Sequence, residues 1–355
     1  MKYKSTWKGW PVLMAAWISC VAAWGQGLVM NCYGLSDASA LMALDERYFA
    51  VGDDEDNVIR VYQIGGSGRP LQTLELSRFL QVEWRSPEAD IEGAARLGNR
   101  IYWITSHGRN AQGEERRNRQ RFFATDIHYE QGVPRLVPVG RAYQHLLTDL
   151  LLDERLRTYQ LAVASTRAPK SEGALNIEGL AATLEGHLLI GFRNPIIASN
   201  ALVVPLLNPQ EVIMGYRARF GNPMLLDLQG RGVRSFSDWH GRFLVVGGAV
   251  GDGGESKVFE WDGKSSMATP LELPATLSKG FNPESVVLTS HGGVDAMLII
   301  SDDGNLKVGG KPQKKIKDRN LRRFRAALIP LAEYQSMSEQ QAGLPKQLDV
   351  RGAVQ

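Results

Sequence analysis

The chain has 355 residues, 43% of them hydrophobic and 22% charged, an ordinary globular composition with length enough to bury a substantial core. Its formal charge of +3 equals the contribution of Lys2, Lys4 and Lys8, so the remainder is neutral and gives no electrostatic reason to expect a nucleic-acid partner. Two cysteines, Cys20 and Cys32, exclude a disulfide framework.

The first element is read as removable. A basic start precedes the apolar run WPVLMAAWISCVAAW (10–24), and the small residues Ala22, Ala23 and Gly25 follow. This predicts a secretory signal peptide over 1–25 and a periplasmic or secreted protein. A lipidated Cys20 is the alternative, although Trp17 stands where a lipobox carries Leu; a buried N-terminal helix is the other. Cleavage leaves Cys32 alone, so packing must supply the stability. No second apolar run is long enough to span a bilayer, so no transmembrane span is expected.

From there one plan recurs. A short polar signature leads into a strand, a turn, a strongly apolar strand and a second polar cluster. The copies are LSDASALMALDERYFAVGDDEDN (35–57), DIEGAARLGNRIYWITSHGRN (90–110), NIEGLAATLEGHLLIGFRNP (176–195), GRGVRSFSDWHGRFLVVGGAVGD (230–252) and NPESVVLTSHGGVDAMLIISDDG (282–304). Signatures at 36, 90, 176, 231 and 282 are spaced by 54, 86, 55 and 51 residues. Such periods with strand–turn–strand content predict an all-β fold, a β-propeller of five or six blades. Further strands are read at 57–64, 121–129, 201–207 and 256–263, and 322–331 is expected to close the last blade. The long interval holds a helix-like stretch at 142–163, either inserted in a blade or part of a blade lacking the signature. A β-sandwich is the competing fold. The propeller domain is placed at 26–335 and a flexible tail at 336–355.

In a propeller the entry to each first strand and the loop between its second and third strands share one face. The signatures Asp37, Asp90/Glu92, Asn176/Glu178, Arg231/Arg234 and Asn282/Glu284 should therefore meet the clusters carrying His107/Arg109, Arg193/Asn194 and Asp302/Asp303 on one rim. Converging carboxylates need compensation. Asp37, Glu92, Glu178 and Glu284 form a candidate oxygen set for Ca²⁺. Arg109, Arg193, Arg231 and Arg234 are candidate counter-ions or forks for an anionic substrate, and His107 is a candidate proton-transfer group. The acidic run GDDEDN (52–57) is a candidate peripheral cation site. The blander readings stand beside these: a ring closed by hydrogen bonds alone, a satisfied loop histidine at 107, turn roles for Asp302 and Asp303, and a solvated turn at 52–57.

Two basic stretches, EERRNRQR (114–121) and KPQKKIKDRNLRRFR (311–325), lack interleaved aromatics for base stacking, and solvated loops are expected. No G-x-S-x-G, H-E-x-x-H, P-loop or C-x-x-C occurs, which disfavours serine hydrolases, zincins and NTPases.

The motifs LSDASAL, DDEDNVIRVY, EADIEGAARLGNRIYWITSHGRN, LNIEGLAA, LLIGFRNP, LLDLQGRGVRS, NPESVV and SDDG resemble a bacterial family of uncharacterised proteins, domain of unknown function 3616, over roughly 33–331. More distantly, IEGLA before an apolar strand is similar to the esterase-like phytase propellers, and the acidic axis to calcium-dependent propeller hydrolases of the gluconolactonase and paraoxonase kind. These resemblances imply a Ca²⁺-supported hydrolase of a small phosphoester, ester or lactone, with no full match to a phytase catalytic set. His107, Arg193 and Arg234 are the catalytic candidates. The alternative is a non-catalytic propeller that binds a small anionic molecule or an envelope protein. A monomer is expected.

Overall fold

A computed structural model describes residues 27–331, except 240, 252, 275, 276, 278 and 279. The signal-peptide, Cys20 and C-terminal tail readings lie outside these residues. Strand β1 (Leu28–Tyr33) comes first. Blade one follows with β2 (Ala38–Ala43), β3 (Tyr48–Asp53), β4 (Val58–Gln63) and β5 (Gln72–Glu75). Blade two contains β6 (Ile91–Leu97), β7 (Arg100–Thr105), β8 (Phe122–Glu130) and β9 (Val133–Tyr143). Blade three contains β10 (Asn176–Ala182), β11 (Leu188–Ile197), β12 (Asn200–Leu206) and β13 (Met224–Leu226). Blade four contains β14 (Gly232–Trp239), β15 (Arg242–Gly248), β16 (Lys257–Trp261) and β17 (Thr269–Leu271). Blade five begins with β18 (Pro283–His291) and β19 (Val294–Ser301). A small hairpin, β20 (Lys307–Val308) and β21 (Lys311–Pro312), then interrupts it before β22 (Arg323–Pro330).

The protein is thus a five-bladed β-propeller of antiparallel four-stranded sheets. The 86-residue interval adds no blade. It is filled by the long strands β8 and β9 and by helical turns at Leu146–Leu152, Glu154–Tyr159 and Leu161–Ala164, which connect blade two to blade three. The ring closes differently from the sequence reading. Segment 322–331 forms the third strand of blade five, and β1 pairs with it from Leu28↔Leu328 to Tyr33↔Arg323 as the outer strand. This non-local pairing joins the two ends of the described chain and removes an open edge.

The five inner strands, β2, β6, β10, β14 and β18, contact one another in sequence around the axis, with β18 meeting β2. Apolar second strands such as β3, β11 and β15 fill the space between blades. At blade five, Tyr62 meets Phe324 edge-on at 5.6 Å.

Why the signature contains Glu-Gly follows from the packing at the axis. A Cβ on Gly93 would lie 2.7 Å from the carbonyl oxygen of Glu178, and one on Gly179 would lie 2.5 Å from Val233 Cγ1. Neighbouring inner strands approach closely there, and no larger side chain fits. Blades four and five use serines at this position, and Ser235 Oγ lies 2.7 Å from Ser285 Oγ in a buried hydrogen bond.

Candidate functional site: a charged rim around the propeller axis

Each inner strand carries a register shift near its start. The shifts fall between Ala38 and Leu41, Ile91 and Gly93, Ile177 and Gly179, Val233 and Ser235, and Pro283 and Ser285. In the last four blades the skipped residue is Glu92, Glu178, Arg234 or Glu284. A bulge inserts one unpaired residue and re-aims its side chain, and here the device recurs around the ring. In blade one Ser39 falls within the shift, and its hydroxyl donates to the Ile91 carbonyl. Asp37 therefore does not occupy the glutamate position. It precedes its strand as Asp90 and Asn282 precede theirs, and Asp54, Ser106 and Asp302 donate backbone N–H groups to the carbonyls of Asp37, Asp90 and Asn282.

The glutamates meet two arginines. Glu178, only 2% exposed, accepts from Arg193 Nη1 at 2.7 Å and from Asn176 Nδ2 at 2.7 Å. Arg234 reaches across two blades, with Nη2 2.5 Å from Glu284 Oε2 and Nε 3.5 Å from Glu178 Oε2. Asp302 lies 3.9 Å from the same Arg234 Nη2. Burial pushes Arg193 toward its neutral form, but the charges of Glu178 and Glu284 more than reverse this and hold its pKa above the usual range. Glu284 is buried enough that its pKa is pushed up to about 8, with Arg234 opposing the rise.

The other side of the rim is less compensated. Carboxylate oxygens of Asp54, Asp90 and Glu92 lie within 4.8 Å of one another. Arg119 Nη1 is 2.9 Å from Asp90 and also pairs with Glu88. Among the described residues Asp54 Oδ1 is enclosed without a hydrogen-bond partner; Glu178 Oε2 and Glu284 Oε2 also lack one but have Arg234 as an ion-pair partner. Burial first, then the neighbouring acids, raises the pKa of Asp54 and Glu92 well above the carboxylate range. Asp90 is raised by burial and lowered by Arg119. Asp37 is pushed by burial to about 6, and its Oδ2 accepts from Ser36 Oγ. This Asp/Glu cluster is able to bind a metal. Oxygens on opposite sides of a Ca²⁺ ion are about 5 Å apart, and the spacing suits that size.

The remaining candidates are placed as follows. His107 is buried with φ of 54°, and its Nδ1 lies 2.7 Å from the Thr105 carbonyl oxygen. Burial pushes its pKa down to about 4, and the charge that adds to the fall is Arg121. Arg109 bonds the carbonyls of Ser165 and Gly113, and Arg231 those of Glu255 and Gln229. Asn194 Nδ2 donates to the Pro169 and Ser171 carbonyls. Asn282 Oδ1 accepts from the Ser256 backbone. Asp303 is gripped by Arg325 through both carboxylate oxygens. Asp302 Oδ1 accepts from the Gly304 backbone in its turn.

Sequence reasoning held Asp54 only within the GDDEDN run, as part of a solvated turn or a peripheral cation site, and missed Arg119. Asp54 was readable in principle: it follows the residue paired with Ala38, as Asp302 follows the residue paired with Pro283. Arg119 lies in the basic stretch 114–121, where spacing gives no signal of its return to the rim.

Residues 115–282 match the model of a family described as Protein of unknown function (DUF3616), as the motifs led one to expect. No curated protein matches the sequence. Among solved structures, the fold is similar to a GH43_1 enzyme from Xanthomonas citri, at 12% identity and TM-score 0.43, covering 89% of this chain and 93% of that one. It is similar to a gluconolactonase, XC5397 from Xanthomonas campestris, at 13% identity and TM-score 0.39, covering 81% and 77%. Trypanosoma rangeli sialidase matches at 10% identity and TM-score 0.40 over 88% of this chain, which spans 57% of the sialidase chain.

Proposed function

We propose that the protein is an exported hydrolase that holds Ca²⁺ at the acidic side of its axial rim and acts on a small phosphoester, ester or lactone. The observation that carries this reading is the Asp54–Asp90–Glu92 group, three carboxylates within 4.8 Å with one enclosed oxygen that has no hydrogen-bond partner among the described residues. The ligand set thus moves from Asp37, Glu92, Glu178 and Glu284 to a group that shares only Glu92, because Glu178 and Glu284 are compensated by Arg193 and Arg234. A bound cation supplies a Lewis-acid centre and a more acidic water. The chain's own residues orient that centre. Arg119 fixes Asp90, the bulge aims Glu92, and Arg234 with Arg193 keeps the far side of the rim near neutral.

A second reading is a non-catalytic propeller that binds a small anionic molecule or an envelope protein. Its non-catalytic part draws support from the engagement of the catalytic candidates: Arg193 and Arg234 are committed to glutamates, and His107 rests on a backbone carbonyl.

Calorimetric titration of Ca²⁺ into native protein and Asp54→Asn tests the cation site, with a tenfold or larger loss expected in the variant (about 1.4 kcal/mol). A phosphoester and lactone screen with and without chelator separates the readings: chelator-sensitive turnover supports the first, and Ca²⁺ binding without turnover the second. Amino-terminal sequencing of protein from the cell envelope tests export, with a start near Trp24 or Gln26 expected.

A further inference from the structure

Blade five carries an insert between β19 and β22 that leaves the rim at Asp302 and Asp303 and contains the β20–β21 hairpin. Residues 305–321 hold six basic side chains, one acid and no aromatic ring. The acid, Asp318, caps its own turn by accepting from the Asn320 backbone. Arg319 is paired with Asp56 of blade one. Lys307, Lys311, Lys315 and Lys317 are exposed, and none has an ion pair or a side-chain hydrogen bond among the described residues. The insert therefore presents four uncompensated positive charges to solvent.

The insert is nevertheless held firmly. Gln313 is fully buried, its N–H donating to the Leu306 carbonyl and its Oε1 accepting from the Arg323 backbone. Arg322 pairs with Glu55 at 2.8 Å and donates to the Ile316 carbonyl. The tip is open. Val308 pairs with Lys311 across Gly309 and Gly310, whose φ values of 57° and 82° suit the tight turn that matches strand twist. A Cβ on either glycine would meet nothing within 4 Å, so nothing packs over the tip. Aliphatic side chains lie exposed among the lysines: Leu306 and Val308 at 41% each, and Leu321 at 63%.

We propose that this insert is a docking surface for a bilayer that carries anionic phospholipid headgroups. The four lysines meet the headgroup phosphates, where each basic residue contributes through the negative surface potential. Leu306 and Val308 enter the boundary between headgroups and acyl chains, as apolar side chains do in interfacial segments. The fixed base under the hairpin means that little ordering accompanies docking. A nucleic acid is the poorer fit, because the insert offers no ring on which a base could stack and exposes aliphatic side chains that phosphates leave unused.

The test is cosedimentation of the full chain with vesicles of pure phosphatidylcholine and with vesicles containing about one-third phosphatidylglycerol, in chelator so that no Ca²⁺ bridges protein and lipid. Binding to the anionic vesicles alone is expected, and salt at about 1 M should release most of it. Changing Lys307, Lys311, Lys315 and Lys317 together to Gln should weaken partitioning several hundredfold, at about fivefold for each lysine, while the thermal melt stays native-like. Leu306→Ser with Val308→Ser should weaken it about tenfold with the preference for anionic lipid retained. Asp54→Asn should bind as native protein does, which separates this surface from the proposed cation site. Equal binding to both vesicle types, no binding to either, or binding that the lysine variant retains overturns the proposal. A single-stranded oligonucleotide that binds more tightly than the vesicles, with the Leu306/Val308 variant affecting neither, assigns the lysines to a polyanion and equally overturns it.

Discussion

Arg234 and Glu284 form an ion pair across two blades, Nη2 to Oε2 at 2.5 Å, and each is the bulged residue of its own inner strand. Because Arg234 also lies 3.5 Å from Glu178, one guanidinium ties three consecutive blades at the axis. Removing it leaves two buried carboxylates short of compensation. Arg234→Ala is expected to destabilise the fold by about 3–5 kcal/mol, the cost of breaking a buried pair from one side. Arg234→Met combined with Glu284→Gln should recover a large part of this in urea melts. An Arg234→Ala midpoint equal to native would show that the pair contributes nothing.

The close approach of the inner strands gives a steric prediction. Gly179→Ala places a methyl group 2.5 Å from Val233 Cγ1 and should cost about 1–3 kcal/mol through overpacking. Gly186→Ala is the informative control. Its Cβ meets nothing within 4 Å, so any cost there comes from φ of +81° alone. Gly179→Ala should be the worse of the two if packing at the axis limits the fold.

His107 gives a pH dependence with a defined sign. Its folded pKa is lowered from 6.5 to about 4 by burial, so the unfolded chain binds the proton more tightly. The neutral ring's contribution is present above pH 6.5 and is lost as pH falls toward 4, up to about 3 kcal/mol. His107→Asn keeps a residue type that tolerates positive φ and retains a donor for the Thr105 carbonyl, but it does not titrate. Native protein should lose stability relative to this variant between pH 6.5 and 4, read from urea midpoints across that range. A constant difference would mean that His107 binds its proton equally well in the folded and the unfolded chain.

The architecture was legible because the repeat is written in residues that the geometry requires. Glu-Gly at 92–93 and 178–179 encodes an axial carboxylate at a bulge followed by a position with no room for a side chain. Apolar second strands such as RIYWIT announce themselves by composition. The closing strand β1 was not legible, since its partner lies about 300 residues away and no local pattern encodes such a pairing. Short outer strands such as β13 and β17 lack the length for a periodic signal. At the site, repeat alignment found Glu92, Glu178 and Glu284 but assigned Asp37 to their set, because the blade-one shift spans Ser39 and Ala40 and blurs the alignment. The division of the acids into an arginine-compensated half and a half built on Asp54 depends on where long side chains reach in space.

That division yields the last prediction. If Asp54, Asp90 and Glu92 hold Ca²⁺, a ligand bound only by the folded state should raise the melting temperature, by about 2.7 kcal/mol of added stability at a hundredfold excess over Kd. Chelator should reverse it. Asp54→Asn should abolish the response, because it replaces a charged, acceptor-only oxygen that, unlike the enclosed oxygens of Glu178 and Glu284, has no arginine beside it among the described residues. Glu178→Gln should preserve it, because Glu178 is already engaged by Arg193 and Asn176. The opposite pattern, with Glu178→Gln silencing the response and Asp54→Asn leaving it intact, would return the ion to the arginine-lined half. Absence of any Ca²⁺ response would remove the cation from the proposed chemistry and leave burial and the neighbouring acids, which raise the pKa of Asp54 and Glu92, as the whole account of the cluster's electrostatics.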